Sequence, residues 1–294
     1  MTAAAFPFAP LPALGAQDAV VCLHSSTGSG AQWRPLLQAL AGHPNLLAVD
    51  LFGHGKSPAW PADAPNTLDV DAEAVRLRLH QLDEASGGTL RGVHLVGHSY
   101  GAAVALRLAM LLSQRQPQRV LSLTLYEPVV FGLLPAGNVE PARHEIEDVA
   151  RAVATLVKAG ALTDAARIFV GYWGGPAAWG AMNEAQQASV RHRIGTVPRH
   201  FDALFAARWQ SRDLQRLHTL PVLLLQGSRT RAPARRVVEQ LLALLPQARA
   251  ETVEGAGHLG PITHAQPVLQ AMLRHLGVLP AVAANAAAEA ALVA

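Results

Sequence analysis

Short apolar runs alternate along the chain with longer amphipathic segments. Several of the short runs are almost unbroken stretches of aliphatic residues, a pattern typical of parallel strands that are covered on both faces of a sheet. We predict strands at Ala19–Leu23, Leu46–Val49, Val93–Val96, Val120–Tyr126, Val222–Leu225 and Ala248–Val253. Because helical patterns lie between these runs, the sequence predicts an α/β fold with a doubly wound, mostly parallel sheet.

The strand–helix alternation stops between residues 128 and 213. In that segment we predict no strand, and we predict helices at Glu145–Ala159, Thr163–Tyr172, Asn183–Ile194 and Arg199–Trp209. We therefore expect a helical lid, residues 128–213, inserted into an α/β core formed by residues 1–127 and 214–280. The alanine-rich residues 281–294 are predicted to be a disordered tail without function.

Aromatic side chains are concentrated in the predicted lid, where the largest are Trp173, Trp179 and Trp209. An aromatic-rich helical insertion between two strands is typical of a cover over an apolar cleft. We therefore take these three tryptophans as candidate substrate-binding residues. The alternative, that the aromatic side chains only pack the lid against the core, stays open for each of them.

Composition and charge limit the classes of molecule that the protein is expected to bind. Half of the 294 residues are hydrophobic and 15% are charged, so the chain can bury a large core. The formal net charge is +3, but the densest basic stretch, Arg229 to Arg236, is typical of a solvated helix start rather than of a nucleic-acid site. We expect a small-molecule substrate and no nucleic-acid partner, and the oligomeric state is left open.

Two further features bear on the compartment. Cys22 is the single cysteine of the chain and lies in an apolar run, as expected for a small buried side chain in a reducing compartment. No apolar run free of charges and prolines reaches the roughly 18 residues of a membrane span. The proline-containing N-terminus lacks the basic start of a secretory signal. We therefore expect a cytoplasmic protein with no membrane partner.

One short motif indicates nucleophilic catalysis. Gly97-His98-Ser99-Tyr100-Gly101 follows a predicted strand and precedes a helix-forming run, which is the strand–turn–helix setting of a nucleophile elbow. Such a turn holds the serine in a strained conformation at the C-terminal edge of the sheet, and glycines on both sides let the strand and helix backbones approach. We predict that Ser99 is a catalytic nucleophile.

Three further segments occur in the order found in a known family. They are His24-Ser25-Ser26-Thr27-Gly28-Ser29-Gly30, Asp50-Leu51-Phe52-Gly53-His54-Gly55-Lys56-Ser57 and Gly255-Ala256-Gly257-His258. Together with the Ser99 motif they resemble the oxyanion loop, the glycine-containing loop after the next strand and the histidine loop of the α/β-hydrolase family. The resemblance covers about residues 19–277 and implies an α/β-hydrolase fold.

The resemblance also implies roles at the site. His258 would be the general base that takes the proton of Ser99, since a serine hydroxyl is a weak nucleophile on its own. The backbone N–H groups of Ser26 and Tyr100 would stabilise the oxyanion. The oxyanion loop departs from the family at Ser25, where a glycine is usual. This serine either tolerates the backbone conformation, alters it, or adds a hydroxyl donor.

The usual position of the third catalytic residue carries no carboxylate. In the family an aspartate follows the strand that corresponds to Val222–Leu225, and here that position holds Thr230. Some members, including certain haloalkane dehalogenases, place the acid at the end of an earlier strand, which corresponds to Glu127. We therefore predict Glu127 as the triad acid, with a salt bridge to an arginine at the lid's hinge as the alternative. Weaker candidates for the acid are Asp50, Asp202 and Glu254.

Other chemistry is not indicated by the sequence. It has no H-E-x-x-H motif, no Cys/His cluster and no phosphate-binding or dinucleotide-binding glycine motif, so we expect no metal and no cofactor. Haloalkane dehalogenases use an aspartate nucleophile, so Ser99 argues against that activity. We expect a carboxylesterase-like serine hydrolase that cleaves a small, mostly apolar ester or related acyl compound through an acyl-enzyme. The alternatives are a carbon–carbon bond hydrolase, a perhydrolase, and a ligand-binding protein that has lost turnover.

Overall fold

The centre of the molecule is a six-stranded sheet whose strands are all parallel. The computed structural model describes residues 12–115, 119–136 and 140–279, so the predicted tail at 281–294 lies outside the described residues. The strands are β1 (Asp18–Leu23), β2 (Leu46–Val49), β3 (Gly92–His98), β4 (Val120–Tyr126), β5 (Val222–Gly227) and β6 (Ala248–Val253). The six predicted strands are all present, with ends displaced by no more than two residues.

The order of the strands in the sheet is β2-β1-β3-β4-β5-β6. The direction in which strands are added reverses at β1, because β2 lies on one side of it and β3 on the other. In open parallel sheets such a reversal leaves a crevice at the carboxyl ends of the strands, where ligands bind. The loops after β1, β3, β4 and β6 leave this edge and carry Ser26, Ser99, Glu127 and His258.

Helices occupy the connections between the strands and cover the sheet. Those described are α1 (Arg34–Ala39), α2 (Leu68–Ala85), α3 (Tyr100–Arg115), α4 (Pro141–Lys158), α5 (Leu162–Gly174), α6 (Ala178–Ala181), α7 (Glu184–Arg193), α8 (Val197–Ala206), α9 (Ser211–Leu214), α10 (Ala232–Leu244), α11 (Gly260–Thr263) and α12 (Ala265–His275). In the part of the chain that the structure describes, no helix combines the length and apolarity needed to span a membrane.

Side chains of the central strands alternate between two apolar cores, as the two-residue period of a strand requires. In β1, Val21 and Leu23 belong to a large core that also contains side chains of α2, α3 and α10. Val20 and Cys22 belong to a smaller core formed with α1 and α12. All four side chains are fully buried. Burial of both faces explains why the strands appear in the sequence as nearly unbroken apolar runs.

The segment between β4 and β5, here called the inserted segment, is helical, and its described residues include no strand. Helices α4, α5, α7 and α8 correspond to the four predicted ones, with ends displaced by one to four residues. Three of its phenylalanines are buried in the large core, namely Phe131, Phe169 and Phe201. The same three side chains border Ser99, so the inserted segment lies over the carboxyl edge of the sheet.

Candidate active site

Ser99 lies in the tight turn between β3 and α3. Its φ is 56°, in the left-handed region that non-glycine residues rarely adopt. The Ser99 N–H donates to the Tyr126 carbonyl at 2.9 Å, and the Ser99 carbonyl accepts the N–H groups of Ala102 and Ala103. These bonds fix the turn to the end of β4 and to the first turn of α3, so the serine is held at the carboxyl edge of the sheet.

Glycine is needed on both sides of Ser99 for a steric reason. A Cβ atom on Gly97 would lie 2.5 Å from the Ala102 Cα, and a Cβ atom on Gly101 would collide with the carbonyl oxygens of Leu23 and His24. These neighbours are backbone atoms and cannot rotate away. The two glycines therefore let α3 pack directly against β3 and against the end of β1.

Three side chains at this edge form a hydrogen-bonded row. Ser99 Oγ is 2.8 Å from His258 Nε2, and His258 Nδ1 is 2.7 Å from Glu127 Oε2. The second carboxylate oxygen, Oε1, accepts the N–H of Gly227 at 2.9 Å. All three side chains are buried, so bulk water does not compete for these bonds. The structure thus brings together the residues predicted as nucleophile, base and acid.

Glu127 directly follows β4, the strand next to that of Ser99. Its φ is 42° and its N–H donates to the Leu225 carbonyl of β5 at 2.8 Å, so the residue is fixed between two neighbouring strands. Its side-chain partner is the imidazole of His258, and within the described residues no arginine forms a salt bridge with it. The alternative of an arginine salt bridge is therefore not what the structure shows.

The weaker candidates for the acid make other contacts. Asp50 accepts the backbone N–H groups of Gly30 and Lys56, which ties the glycine-containing loop to the oxyanion loop. Asp202 accepts from the Asn66 side chain, and Glu254 accepts from the Ser228 hydroxyl. Each carboxylate thus has partners that do not include His258.

The predicted oxyanion loop follows β1. Ser26 borders the same small cavity as Ser99, and across the described ranges the backbone N–H groups of Ser26 and Tyr100 have no acceptor. Ser25 has no positive φ; the left-handed residue of the loop is Thr27, with φ of 62°. The Ser25 hydroxyl donates to Gln32 Oε1 at 3.1 Å. Ser25 therefore tolerates the loop conformation, and its hydroxyl is engaged with Gln32.

The loop of His258 is held from two sides. The Tyr126 hydroxyl donates to the Gly257 carbonyl at 2.7 Å, and His98 Nε2 lies 2.8 Å from the His258 carbonyl. Burial holds the pKa of His98 well below its ordinary value, so its ring is neutral and Nε2–H donates. The His98 Nδ1 then accepts from Gln32 Nε2 at 3.0 Å. Gln32 thereby links the oxyanion loop to the histidine loop.

Trp173 of α5 stacks on the imidazole of His258, with ring centroids 3.8 Å apart and planes at 27°. It lies between two spaces. One is a cavity of about 10 Å³ beside Ser99, lined mainly by aromatic and aliphatic side chains of the inserted segment. The other is an open groove of about 530 Å³ that includes Arg229, Thr230 and Arg231. Of the three predicted substrate-binding tryptophans, Trp173 borders both spaces, whereas Trp179 and Trp209 border neither of these two spaces.

Two polar residues near the site were missed by the sequence analysis. Gln32 bridges two loops, as described above, and His200 of α8 contacts the Ser26 hydroxyl at 2.8 Å. Neither lies in a recognisable motif, and the His200 contact joins residues 174 positions apart. Within the described residues, no group of three or more His, Cys, Asp or Glu side chains is arranged to hold a metal ion.

The family model described as "Alpha/beta hydrolase family" matches residues 20–271, which is most of the chain. The chain belongs to the alpha/beta hydrolase family. Its parallel sheet and helical layers are those of an α/β hydrolase, as predicted from the sequence.

Individual relatives of this α/β hydrolase differ in activity. RutD of Stutzerimonas stutzeri, to which carbamate hydrolase activity is ascribed, is 28% identical over 85% of this chain and 88% of its own length. A haloalkane dehalogenase of Agrobacterium fabrum is 37% identical over 40% of this chain and 34% of its own length, so the match spans about a third of that relative. The crystal structure of a hydrolase from Pseudomonas aeruginosa PA01 aligns with a TM-score of 0.67 at 25% identity, over 90% and 92% of the two chains.

Proposed function

We propose that this α/β hydrolase is a serine hydrolase that cleaves a small, mostly apolar ester through an acyl-enzyme. The proposal is carried by one observation, the unbroken hydrogen-bonded row from Ser99 Oγ through His258 to Glu127. A nucleophile within hydrogen-bond reach of a base, with the base oriented by a third group, is the arrangement that activates a serine. An isolated buried Ser–His contact would lack the carboxylate that orients the ring.

In the proposed first step, Ser99 Oγ attacks the ester carbonyl while its proton moves to His258 Nε2. The imidazolium that forms is stabilised by Glu127, whose carboxylate accepts the Nδ1–H. The carbonyl oxygen becomes an oxyanion, and the N–H groups of Ser26 and Tyr100 are the donors proposed for it. Losing one such donor typically raises the barrier by about 2.7–4 kcal/mol.

The second half of the proposed cycle uses the same groups. His258 gives its proton to the departing alcohol, which leaves the acyl group on Ser99. Water then attacks the acyl-enzyme with His258 again acting as base, and the acid is released. No metal or organic cofactor takes part in either half of this proposal, because Ser99 supplies the nucleophile and the His258 imidazole carries every proton transfer.

Two features of the cavity beside Ser99 support a substrate with a small apolar acyl group. The cavity beside Ser99 holds about 10 Å³, roughly enough for the centre of one water-sized group. Its walls include Phe131, Phe169, Trp173 and Phe201, all from the inserted segment. We therefore also propose that the inserted segment acts as a lid, with Trp173 separating the acyl cavity from the open groove.

The test is covalent labelling at Ser99. Incubation with a fluorophosphonate probe is expected to label the wild-type protein, and peptide mapping is expected to place the label on Ser99. Ser99→Ala is expected to lose both labelling and hydrolysis of short p-nitrophenyl esters, with an unchanged circular dichroism spectrum. Ester hydrolysis in Ser99→Ala within a few-fold of wild type would contradict the proposal, and absence of labelling at every pH would favour a binding protein.

A further inference from the structure

A buried histidine of the inserted segment lies against the oxyanion loop. His200, in α8, is 1% exposed, and its Nδ1 is 2.8 Å from the hydroxyl of Ser26. Its ring stacks on Tyr100, with centroids 3.7 Å apart and planes at 6°, and the ring of His54 lies nearly parallel to it at 5.2 Å. His200 therefore touches both residues whose N–H groups are the proposed oxyanion donors.

The second ring nitrogen of His200 is not used by the protein. Nε2 is buried and has no hydrogen-bond partner within residues 12–115, 119–136 and 140–279. Buried polar atoms without partners are rare in native proteins, and each one requires an explanation. Nδ1 is bound to Ser26, and the ring faces lie against other rings. The edge of the ring that carries Nε2 is therefore the part of His200 that remains for a further contact.

His200 also lines the cavity beside Ser99. The polar residues of that lining are Ser26, Ser99 and His200, and the others are aromatic or aliphatic. The Ser99 hydroxyl is bound to His258 and the Ser26 hydroxyl to His200. Among these three polar side chains, His200 is thus the one that keeps a polar atom, Nε2, without a partner in the described residues.

We propose that His200 Nε2 determines specificity by forming a hydrogen bond with an oxygen atom carried on the acyl chain of the substrate. The inference rests on the proposed ester chemistry at Ser99. The preferred substrates are then esters of short oxygen-bearing acids, such as alkoxy, oxo or hydroxy acids, rather than esters of plain fatty acids. Because the cavity is small and His200 contacts Ser26, this oxygen lies only a few atoms from the scissile carbonyl.

The protonation state of the His200 ring determines whether Nε2 donates or accepts the hydrogen bond with that oxygen. Burial, together with the neighbouring His54 and His24, holds the pKa of His200 well below its ordinary value, so the ring is neutral. If the Ser26 hydroxyl donates to Nδ1, then Nε2–H donates to an ether, keto or hydroxyl oxygen. If instead Nδ1–H donates to Ser26, then Nε2 accepts from a hydroxyl group.

The first experiment compares matched ester pairs with the wild-type protein. p-Nitrophenyl methoxyacetate against butanoate replaces one methylene by an oxygen that only accepts, and 3-hydroxybutanoate against 3-methylbutanoate replaces a methyl by a hydroxyl. Each kcat/KM is divided by the ester's rate constant for alkaline hydrolysis, which removes intrinsic reactivity. A preference of at least about tenfold for the oxygen-bearing ester in either pair is expected. Equal corrected values in both pairs would overturn the inference.

Two substitutions then separate the nitrogens of the ring. In His200→Asn, an amide atom takes the place of Nδ1 beside Ser26 and Nε2 is lost, so the preference is expected to fall about tenfold, to near one. In His200→Gln, the amide reaches toward the Nε2 position, so this variant is expected to keep more of the preference than His200→Asn. An unchanged ratio in His200→Asn, or the reverse order of the two variants, would count against the role of Nε2.

A third measurement needs no turnover. Ser99→Ala is titrated with methyl methoxyacetate and with methyl butanoate, and tryptophan fluorescence is followed because Trp173 lines the same cavity. About tenfold tighter binding of the methoxyacetate is expected, and equal dissociation constants would overturn the inference. If this preference is found although no ester is hydrolysed by the wild-type protein, the proposed ester chemistry fails and the His200 contact stands.

Discussion

At the scale of single residues, backbone strain is concentrated at the candidate site. In the described part of the chain, the non-glycine residues with positive φ are Thr27, Ser99 and Glu127, at 62°, 56° and 42°. Such conformations cost on the order of 1–3 kcal/mol each and persist where the surroundings hold them. They lie in the loops after β1, β3 and β4, which are the loops proposed to carry an oxyanion donor, the nucleophile and the acid.

The carboxylate of Glu127 is expected to matter chiefly in the transition state. Glu127→Gln keeps the size of the side chain and an oxygen for the Gly227 N–H but removes the charge that stabilises the imidazolium of His258. The serine-protease precedent for such an acid-to-amide change is a loss of about 10⁴-fold in kcat. We expect a loss of about 10²–10⁴-fold in kcat with little change in KM, measured with a short p-nitrophenyl ester.

The matched control for Glu127→Gln introduces a carboxylate at Thr230, the position where the family usually has its acid, and tests whether activity is restored. Thr230 is buried, borders the same groove as His258, and has a hydroxyl without a partner in the described ranges. Adding Thr230→Asp to Glu127→Gln is expected to restore part of the lost kcat. A near-normal kcat in folded Glu127→Gln would show that the acid is elsewhere or that Ser99 and His258 act as a dyad.

Residues in local motifs were predictable from the sequence. Ser99 lies in a five-residue motif with a defined strand–turn–helix setting, and Glu127 was identified because it ends a strand next to that of the nucleophile. The contacts of Gln32 and His200 were not predictable, because they depend on how loops and α8 dock on one another. A local sequence pattern at His200 does not indicate that its side chain will contact Ser26, which is 174 residues away in the chain.

At the scale of secondary-structure elements, burial made the strands predictable. Most side chains of the central strands β1, β3, β4 and β5 are buried, so an apolar run marks most of each of them. The predicted ends of all six strands are within two residues of the observed ones. Helix ends were less predictable. Helix α3 begins at Tyr100, inside the five-residue motif that was predicted to precede the helix. The turn at Ser99 and the contact of Gly101 with the end of β1 fix the first helical residues despite the low helix propensity of glycine.

The elbow between β3 and α3 is expected to tolerate no side chain at Gly101. In Gly101→Ala the new Cβ atom would collide with two backbone carbonyls, so we expect the free energy of unfolding to fall by about 3 kcal/mol or more. Gly171→Ala is the matched control, because Gly171 lies in α5 with no atom near its Cβ position. That change is expected to be neutral or to stabilise by up to about 1 kcal/mol. Urea unfolding of both variants is the measurement, and similar stabilities would contradict this account.

The inserted segment is expected to set acyl-chain preference through Trp173. Truncation in Trp173→Ala enlarges the cavity beside Ser99, so the ratio of kcat/KM for octanoate over acetate p-nitrophenyl esters is expected to rise about tenfold. Trp179→Ala is the control, because Trp179 is equally buried but does not border the cavity. An unchanged chain-length profile in Trp173→Ala would show that this side chain only packs the inserted segment.

At the scale of the whole molecule, buried histidines dominate the expected response to acid. Burial lowers the pKa of His24 and His275 to about 3 and that of His54 and His94 to about 4. The ordinary value, near 6.5, applies in the unfolded chain. Between these values the unfolded chain binds protons that the folded chain does not, so the free energy of unfolding falls as the pH falls.

One buried carboxyl opposes this trend. Burial raises the pKa of Asp71 to about 6, so between about pH 6 and its unfolded value near 3.9 the folded chain binds the extra proton. Each group contributes up to about 1.4 kcal/mol per pH unit, and four histidines outweigh one carboxyl. We expect the free energy of unfolding, from urea titrations at pH 7, 6 and 5, to drop by about 3 kcal/mol or more. A stability that is constant over this range would contradict the neutral burial of these histidines.

The placement of the Glu127 carboxylate at the end of β4 also affects which parts of the protein can be mutated to change its activity. With the proposed acid Glu127 supplied from the strand next to that of Ser99, the loop after β5 holds no charge that the proposed triad requires. Its residues Arg229, Thr230 and Arg231 face the open groove beside His258. The backbone of this loop is tied to the histidine loop, because the Arg229 N–H donates to the Ala256 carbonyl at 2.8 Å. Side-chain substitutions at these three positions in a mutant library are therefore expected to reshape the approach to the site, whereas insertions are expected to displace His258.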